Sequence, residues 1–151
     1  MNDCPSGKAR LVGIGSPFGE DRLGWQAVEA LQAAGWVAEH PKWQWQLTVL
    51  DRPGTSLLEQ LQGMDLVILV DALQSSESGP RLLAIDELAA EVAPLSGHGL
   101  GLAESLLLGR QLGILPEALF IIGLPMGAAL DSIVFGEYLN GLLSQYEDDD
   151  C

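Results

Sequence analysis

A run of five consecutive aliphatic residues, Leu66 to Val70, is the feature of this sequence that most constrains its fold. A strand with one solvated face alternates apolar and polar residues, whereas a strand covered on both faces is apolar throughout. Asp71 follows the run directly. The sequence therefore predicts a central strand, covered on both faces, that ends in a carboxylate.

The segments on either side of this run alternate between strand and helix patterns. The predicted strands are 9–15, 44–50, 66–70, 81–85 and 119–124, and the predicted helices are 23–34, 56–62, 100–112 and 131–146. Such alternation requires crossover connections, which favour parallel strands covered by helices. We expect an α/β fold of three layers, with a twisted, mainly parallel sheet of about five strands and helices on both faces.

The length of 151 residues is that of one domain, and it is sufficient to bury a core. The 48% hydrophobic content is typical of a globular chain. We therefore expect a single domain over residues 1–151. The acidic tail, residues 147–151, is expected to be disordered because its like charges repel one another.

The charge and the ends of the chain limit the classes of partner. With 21 acidic and 7 basic residues the net charge is −14, which disfavours nucleic acid and favours cations or basic partners. The N-terminus has no apolar stretch like that of a signal peptide. The uncharged segment around residues 118–130 is interrupted by Pro125 and is shorter than the stretch of about 20 residues that spans a membrane. A cytoplasmic protein without membrane contact is expected, and its oligomeric state is not indicated.

Three side chains are predicted to gather at one edge of the sheet. Asp21 follows the first predicted strand, and Asp71 ends the third. The carboxyl ends of parallel strands meet at one edge, where α/β proteins bind ligands. His98 lies between two glycines just before a predicted helix and can reach the same edge. Two carboxylates and an imidazole are suitable ligands for a divalent metal ion.

Each of these residues also has a simpler interpretation. Asp21 fits the N-cap of the helix that follows it, and Asp71 could serve a neighbouring turn. His98 could cap its helix or bond to a backbone carbonyl group. The other histidine, His40, stands beside Pro41 in a polar connection and is expected to be exposed.

A nucleotide-binding loop is a weaker alternative. Gly13, Gly15 and Gly19 resemble a loosely spaced dinucleotide fingerprint, but the spacing is not that of GxGxxG. Glu20 and Asp21 would repel a phosphate placed there. The glycines are better interpreted as a tight connection from strand to loop.

Three blocks of the sequence stand out together: GIGSPFGEDRLG, a glycine-rich segment with an acid pair; LVILVDAL, a strand ending in Asp-Ala; and SGHGLGLAESL, a segment with a histidine. In this order they resemble the corresponding segments of the hydrogenase maturation proteases, the endopeptidases that trim the C-terminus of nickel-containing hydrogenase large subunits. The resemblance covers nearly the whole chain. The chain departs from the family at Ser16, where asparagine is common.

The resemblance implies an endopeptidase acting on a nickel-loaded large-subunit precursor. Asp21, Asp71 and His98 would be both the catalytic residues and the metal ligands, and the nickel would arrive with the precursor. The metal or a carboxylate would activate a water molecule for attack on the peptide carbonyl group. The alternatives are a non-catalytic acidic chaperone for metallated hydrogenase and, less favoured, a nucleotide-binding domain.

Overall fold

A sheet of five strands forms the middle layer of the protein. The computed structural model describes residues 7–15, 22–51, 55–73, 79–91, 97–126 and 129–149. The strands are β1 (Gly7–Gly15), β2 (Trp43–Asp51), β3 (Leu66–Leu73), β4 (Arg81–Leu83) and β5 (Ala118–Pro125). The helices are α1 (Leu23–Ala33), α2 (Thr55–Leu61), α3 (Ile85–Glu91), α4 (Gly97–Leu112) and α5 (Ser132–Asp149), with a 3-10 helix over Trp36–Glu39.

The strand order is β2-β1-β3-β5-β4. The first four strands in this order are parallel, and β4 pairs with β5 in the antiparallel sense. Helices pack on both faces of the sheet. The predicted three-layer α/β fold with a mainly parallel sheet is thus confirmed.

All eight residues of β3 are buried, as the aliphatic run predicted. Successive side chains of a strand point to opposite faces, so β3 supplies two cores. Leu66, Ile68 and Val70 pack with α1 and α5 on one face. Val67 and Leu69 pack with α2, α3 and α4 on the other face. Each of these buried aliphatic side chains contributes about 1.5–3 kcal/mol.

The region after β3 differs from the prediction in one respect. A strand was expected over residues 81–85, but β4 ends at Leu83 and α3 begins at Ile85. The Glu87 carboxylate accepts a hydrogen bond of 3.0 Å from the backbone N–H of Ala84. This is half of a capping box, and it starts a helix where the apolar pattern alone indicated a strand.

Tyr138 connects α5 to the edge strand β4. Burial raises the pKa of the Tyr138 phenol above its usual 10.0, while a hydrogen bond with the Leu82 backbone lowers it. Because the pKa of the phenol is raised in the folded state, its contribution to stability is present at neutral pH. That contribution is lost as the pH rises through the folded-state value.

The C-terminal end of α5 is ordered further than the sequence predicted. The disorder expected for the tail is wrong for residues 147–149, because α5 continues to Asp149. The indole N–H of Trp43 donates a 3.0 Å hydrogen bond to Glu147 Oε2, and Lys42 Nζ lies 4.0 Å from Glu147 Oε1. Residues 150 and 151 lie outside the described part of the chain. No helix among the described residues is long and apolar enough to cross a membrane.

We expect Glu147→Ala to lower the free energy of unfolding by about 1 kcal/mol, because the buried indole of Trp43 loses its acceptor. Glu147→Gln keeps an acceptor oxygen and should lose less. Urea denaturation followed by tryptophan fluorescence measures both. Glu137→Ala, at an exposed position of the same helix, is the control and should match the wild type. A Glu147→Ala protein as stable as this control would show that the hydrogen bond between Trp43 and Glu147 does not stabilise the fold.

Candidate functional site

The strand order predicts a ligand-binding crevice at the carboxyl ends of β1 and β3. After β1 the chain crosses by α1, in one helical layer, to β2 on one side. β3 lies on the other side of β1, and the chain that leaves its carboxyl end passes through α3 and α4, in the opposite layer, to β5. The connections therefore diverge at the carboxyl ends of β1 and β3. In open α/β sheets such a point is where ligands bind.

Asp71 lies at this crevice, near the end of β3. It is 2% exposed, and with Ser105 it is one of two buried polar residues in the described part of the chain. Asp71 Oδ1 accepts a 2.8 Å hydrogen bond from the backbone N–H of Ala72. Asp71 alternates with Leu69 and Leu73, so it points to the face covered by α4. Its neighbour on β5 is Gly123.

The structure brings the backbone of His98 to the same edge and the same face. α4 has 16 residues and is about 24 Å long, which matches about 26 Å for the eight residues of β5. A short connection joins the end of α4 to the start of β5, so α4 runs antiparallel to β5 and begins at the carboxyl edge. His98 precedes the buried residues Leu102 and Ser105 by about one and two turns. His98 therefore lies in the first turn of α4, at the carboxyl edge of the sheet.

Asp21 and the side chain of His98 lie outside the described part of the structure. Arg22, the first described residue after Asp21, is exposed, and α1 begins at Leu23. Among the described side chains no group of three His, Cys, Asp or Glu could hold a metal ion. That finding does not bear on the predicted ligand set, because Asp71 is its one member with a described side chain. Convergence of the three residues stays a prediction.

Ser105 is a buried polar residue that the sequence analysis did not identify. It is 9% exposed and lies in α4 between Leu102 and Leu106, which are fully buried. The helical repeat of the apolar residues around it was the available signal, since a small polar residue at a sheet-facing position requires a hydrogen-bond partner.

His40 is partly buried and not exposed as expected, and it lies at the opposite edge of the sheet. It follows the 3-10 helix and precedes the amino end of β2. Its ring stacks on Trp36 with centroids 4.1 Å apart, and Nδ1 lies 2.8 Å from the Trp36 carbonyl oxygen. His40 is therefore part of an aromatic packing cluster, separated from the crevice by the length of the strands.

Comparison with solved structures identifies proteins that share this fold. The hydrogenase maturating endopeptidase HybD from E. coli superimposes with a TM-score of 0.59 at 20% identity, over 94% of this chain and 88% of that one. The [NiFe] hydrogenase maturation proteases HycI and HybD from Thermococcus kodakarensis give TM-scores of 0.56 and 0.57, at 19% and 17% identity. These matches cover 93% of this chain in both cases, and 92% and 99% of the two relatives.

The chain therefore has the fold of hydrogenase maturation endopeptidases, which is the family that its three sequence blocks resemble. At these identities the likeness establishes the fold. No protein-family model matches the sequence, and no curated protein matches it significantly.

We expect Asp71→Ala to destabilise the protein by about 1–3 kcal/mol, because it leaves the buried Ala72 N–H without its acceptor. Asp71→Asn can keep a carbonyl oxygen at that position and should lose clearly less. Chemical denaturation of the two variants measures the difference. Equal losses would show that the hydrogen bond to Ala72 does not contribute to stability.

Proposed function

We propose that this protein is an endopeptidase that removes the C-terminal extension of a nickel-loaded hydrogenase large-subunit precursor. The observation that carries the proposal is the Asp71 carboxylate, which is buried at the crevice between β1 and β3. It lies there in a chain that shares its fold with solved maturation endopeptidases. The three sequence blocks that resemble this family support the same activity.

The chemistry of the donor set fits nickel. Carboxylate oxygens from Asp21 and Asp71 and an imidazole nitrogen from His98 are ligands that divalent first-row metals accept. A cation beside the buried Asp71 carboxylate would stabilise its ionised form. We propose that these three residues bind the nickel of the precursor.

The chain's own residues would then act on the peptide. Binding of the precursor's metal by the three side chains holds the cleavage segment in the crevice, which replaces a bimolecular encounter by a fixed geometry. One carboxylate would accept a proton from the attacking water and return it to the leaving amine as the C–N bond breaks. Nickel held by these residues would supply a Lewis acid for the carbonyl group.

The acidity of the chain is consistent with a basic or metal-bearing partner. A net charge of −14 attracts cations and positively charged surfaces over roughly the Debye length of 8–10 Å. The part of the precursor that approaches the crevice is therefore proposed to carry its metal and a net positive surface.

Cleavage should depend on nickel in the precursor. Nickel-loaded precursor should be shortened, whereas unmetallated precursor and casein should remain intact over the same time. The reason is that the three ligand side chains do not supply an activated nucleophile without the metal ion. Mass spectrometry of the products measures the cut. Equal rates on metallated and unmetallated precursor would refute metal recognition. Binding of the metallated precursor without any cut would instead identify a chaperone.

The three proposed ligands should be individually necessary. Asp21→Asn, Asp71→Asn and His98→Ala should each lower the rate of processing by at least about 100-fold, since loss of even an outer-shell partner of a metal ligand costs 10–100-fold. His40→Ala, at the opposite edge, should lose stability through its contact with Trp36 but retain processing. Glu20→Gln should also remain active. A folded and fully active Asp71→Asn protein would show that the assigned site is wrong.

A further inference from the structure

The first turn of α1 approaches the sheet more closely than any side chain would allow. A Cβ atom added to Gly24 would lie 2.6 Å from the carbonyl oxygen of Val70 and 2.9 Å from the backbone nitrogen of Ile14. It would also overlap the carbonyl oxygen of Ile14. These are backbone atoms of paired strands, which cannot rotate away as the end of a side chain can.

A second glycine completes the contact from the other side. A Cβ atom added to Gly13 in β1 would lie 2.8 Å from the carbonyl carbon of Gly24 and 2.8 Å from Val28 Cγ2, and would overlap the Gly24 carbonyl oxygen. Neither glycine is among the positive-φ glycines of the described chain. Gly13 and Gly24 are therefore needed for close approach and not for an unusual backbone conformation.

The atoms that Gly24 touches connect this contact to the crevice. The carbonyl oxygen of Val70 belongs to the peptide bond between Val70 and Asp71. The contact thus sets the distance between the start of α1 and the backbone that carries the buried carboxylate. Asp21 precedes Gly24 by three residues, and three residues of extended chain span at most about 11 Å.

From this geometry we infer that Gly24, seated against Gly13, is a positioning residue for the pair of carboxylates Asp21 and Asp71. The inference rests on the proposed function, because it assigns Gly24 a task in holding the metal-binding set. A Cβ atom at position 24 pushes the first turn of α1 off the Val70–Asp71 peptide. A displacement of about 1 Å in a catalytic constellation can cost 100-fold in rate.

The simpler explanation is that Gly24 matters for packing alone. Gly109 in α4 is the crowded control, because a Cβ atom there would lie 2.8 Å from Leu115 Cδ2 and 3.0 Å from Leu58 Cδ2, both of which are ends of side chains. It lies toward the opposite end of α4 from His98, away from the carboxyl edge. Gly136 in α5 is the neutral control, because nothing lies within 4 Å of an added Cβ atom.

The experiment compares Gly24→Ala, Gly109→Ala and Gly136→Ala with the wild type in three measurements. Urea denaturation gives stability, calorimetric titration with Ni²⁺ alone gives metal affinity, and processing of nickel-loaded precursor gives kcat and KM. Gly24→Ala should lose about 100-fold in kcat and at least about 10-fold in Ni²⁺ affinity while folded. Gly109→Ala should keep both functions within about twofold and lose less stability than Gly24→Ala, because the ends of the leucine side chains can shift. Gly136→Ala should keep both functions and be slightly more stable than the wild type, because alanine favours a helix interior over glycine.

A second variant separates positioning from folding if Gly24→Ala does not fold. One glycine inserted between Arg22 and Leu23 leaves both glycine contacts in place but changes the length of chain between them and Asp21. The inserted variant should fold with nearly wild-type stability and lose Ni²⁺ affinity and processing. Full function in the inserted variant would overturn the inference. A Gly24→Ala protein whose function declines only in proportion to its stability, as expected for Gly109→Ala, would also overturn it.

Measurements on the wild-type protein distinguish failure of the positioning role from failure of the proposed function. If the wild type cleaves the precursor and folded Gly24→Ala cleaves it equally well, the positioning role fails while the proposed function stands. If the wild type neither cleaves the precursor nor binds Ni²⁺, the proposed function fails and the inference fails with it.

Discussion

Burial of β3 on both faces is the constraint from which the rest of the architecture follows. All eight of its residues are buried, and β1 and β5 pair with it on either side. A strand so covered needs a helical layer on each face, and crossover connections supply both. The same connections diverge between β1 and β3. The crevice expected at the carboxyl ends of β1 and β3 is thus a consequence of the strand order, which has β3 at its centre.

A carboxylate at the end of that strand is costly to bury. Removing an ion from water costs several kcal/mol even after the surroundings relax, and hydrogen bonds recover only part of this. Asp71 accepts a hydrogen bond from the N–H of Ala72. In a chain with a net charge of −14 the field of the protein adds no attraction for an anion. A cation beside Asp71, as proposed for the nickel of the precursor, would lower the cost of burying this charge.

Much of the fold could be predicted because its strands are marked by unusual local composition. The aliphatic run of β3 predicted both its burial and its central place. The boundary between β4 and α3 was missed because Ala84, which directly precedes the helix, carries no capping hydroxyl, and the cap is provided by Glu87 instead. The end of α5 was missed because its acidic residues suggested repulsion, whereas the indole of Trp43 supplies a donor to Glu147 from over a hundred residues away in sequence.

The sequence by itself determined the α/β class, the buried β3, and the presence of two carboxylates and a histidine near strand and helix ends. Only the tertiary structure decided that Asp71 faces the layer of α4, that α4 begins at the carboxyl edge, and that His40 lies at the opposite edge. It also decided that Gly13 and Gly24 meet. Local patterns report which residues avoid water, because that depends on composition and periodicity. Strand order and the close approach of two glycines depend on contacts between distant segments, which no local pattern contains.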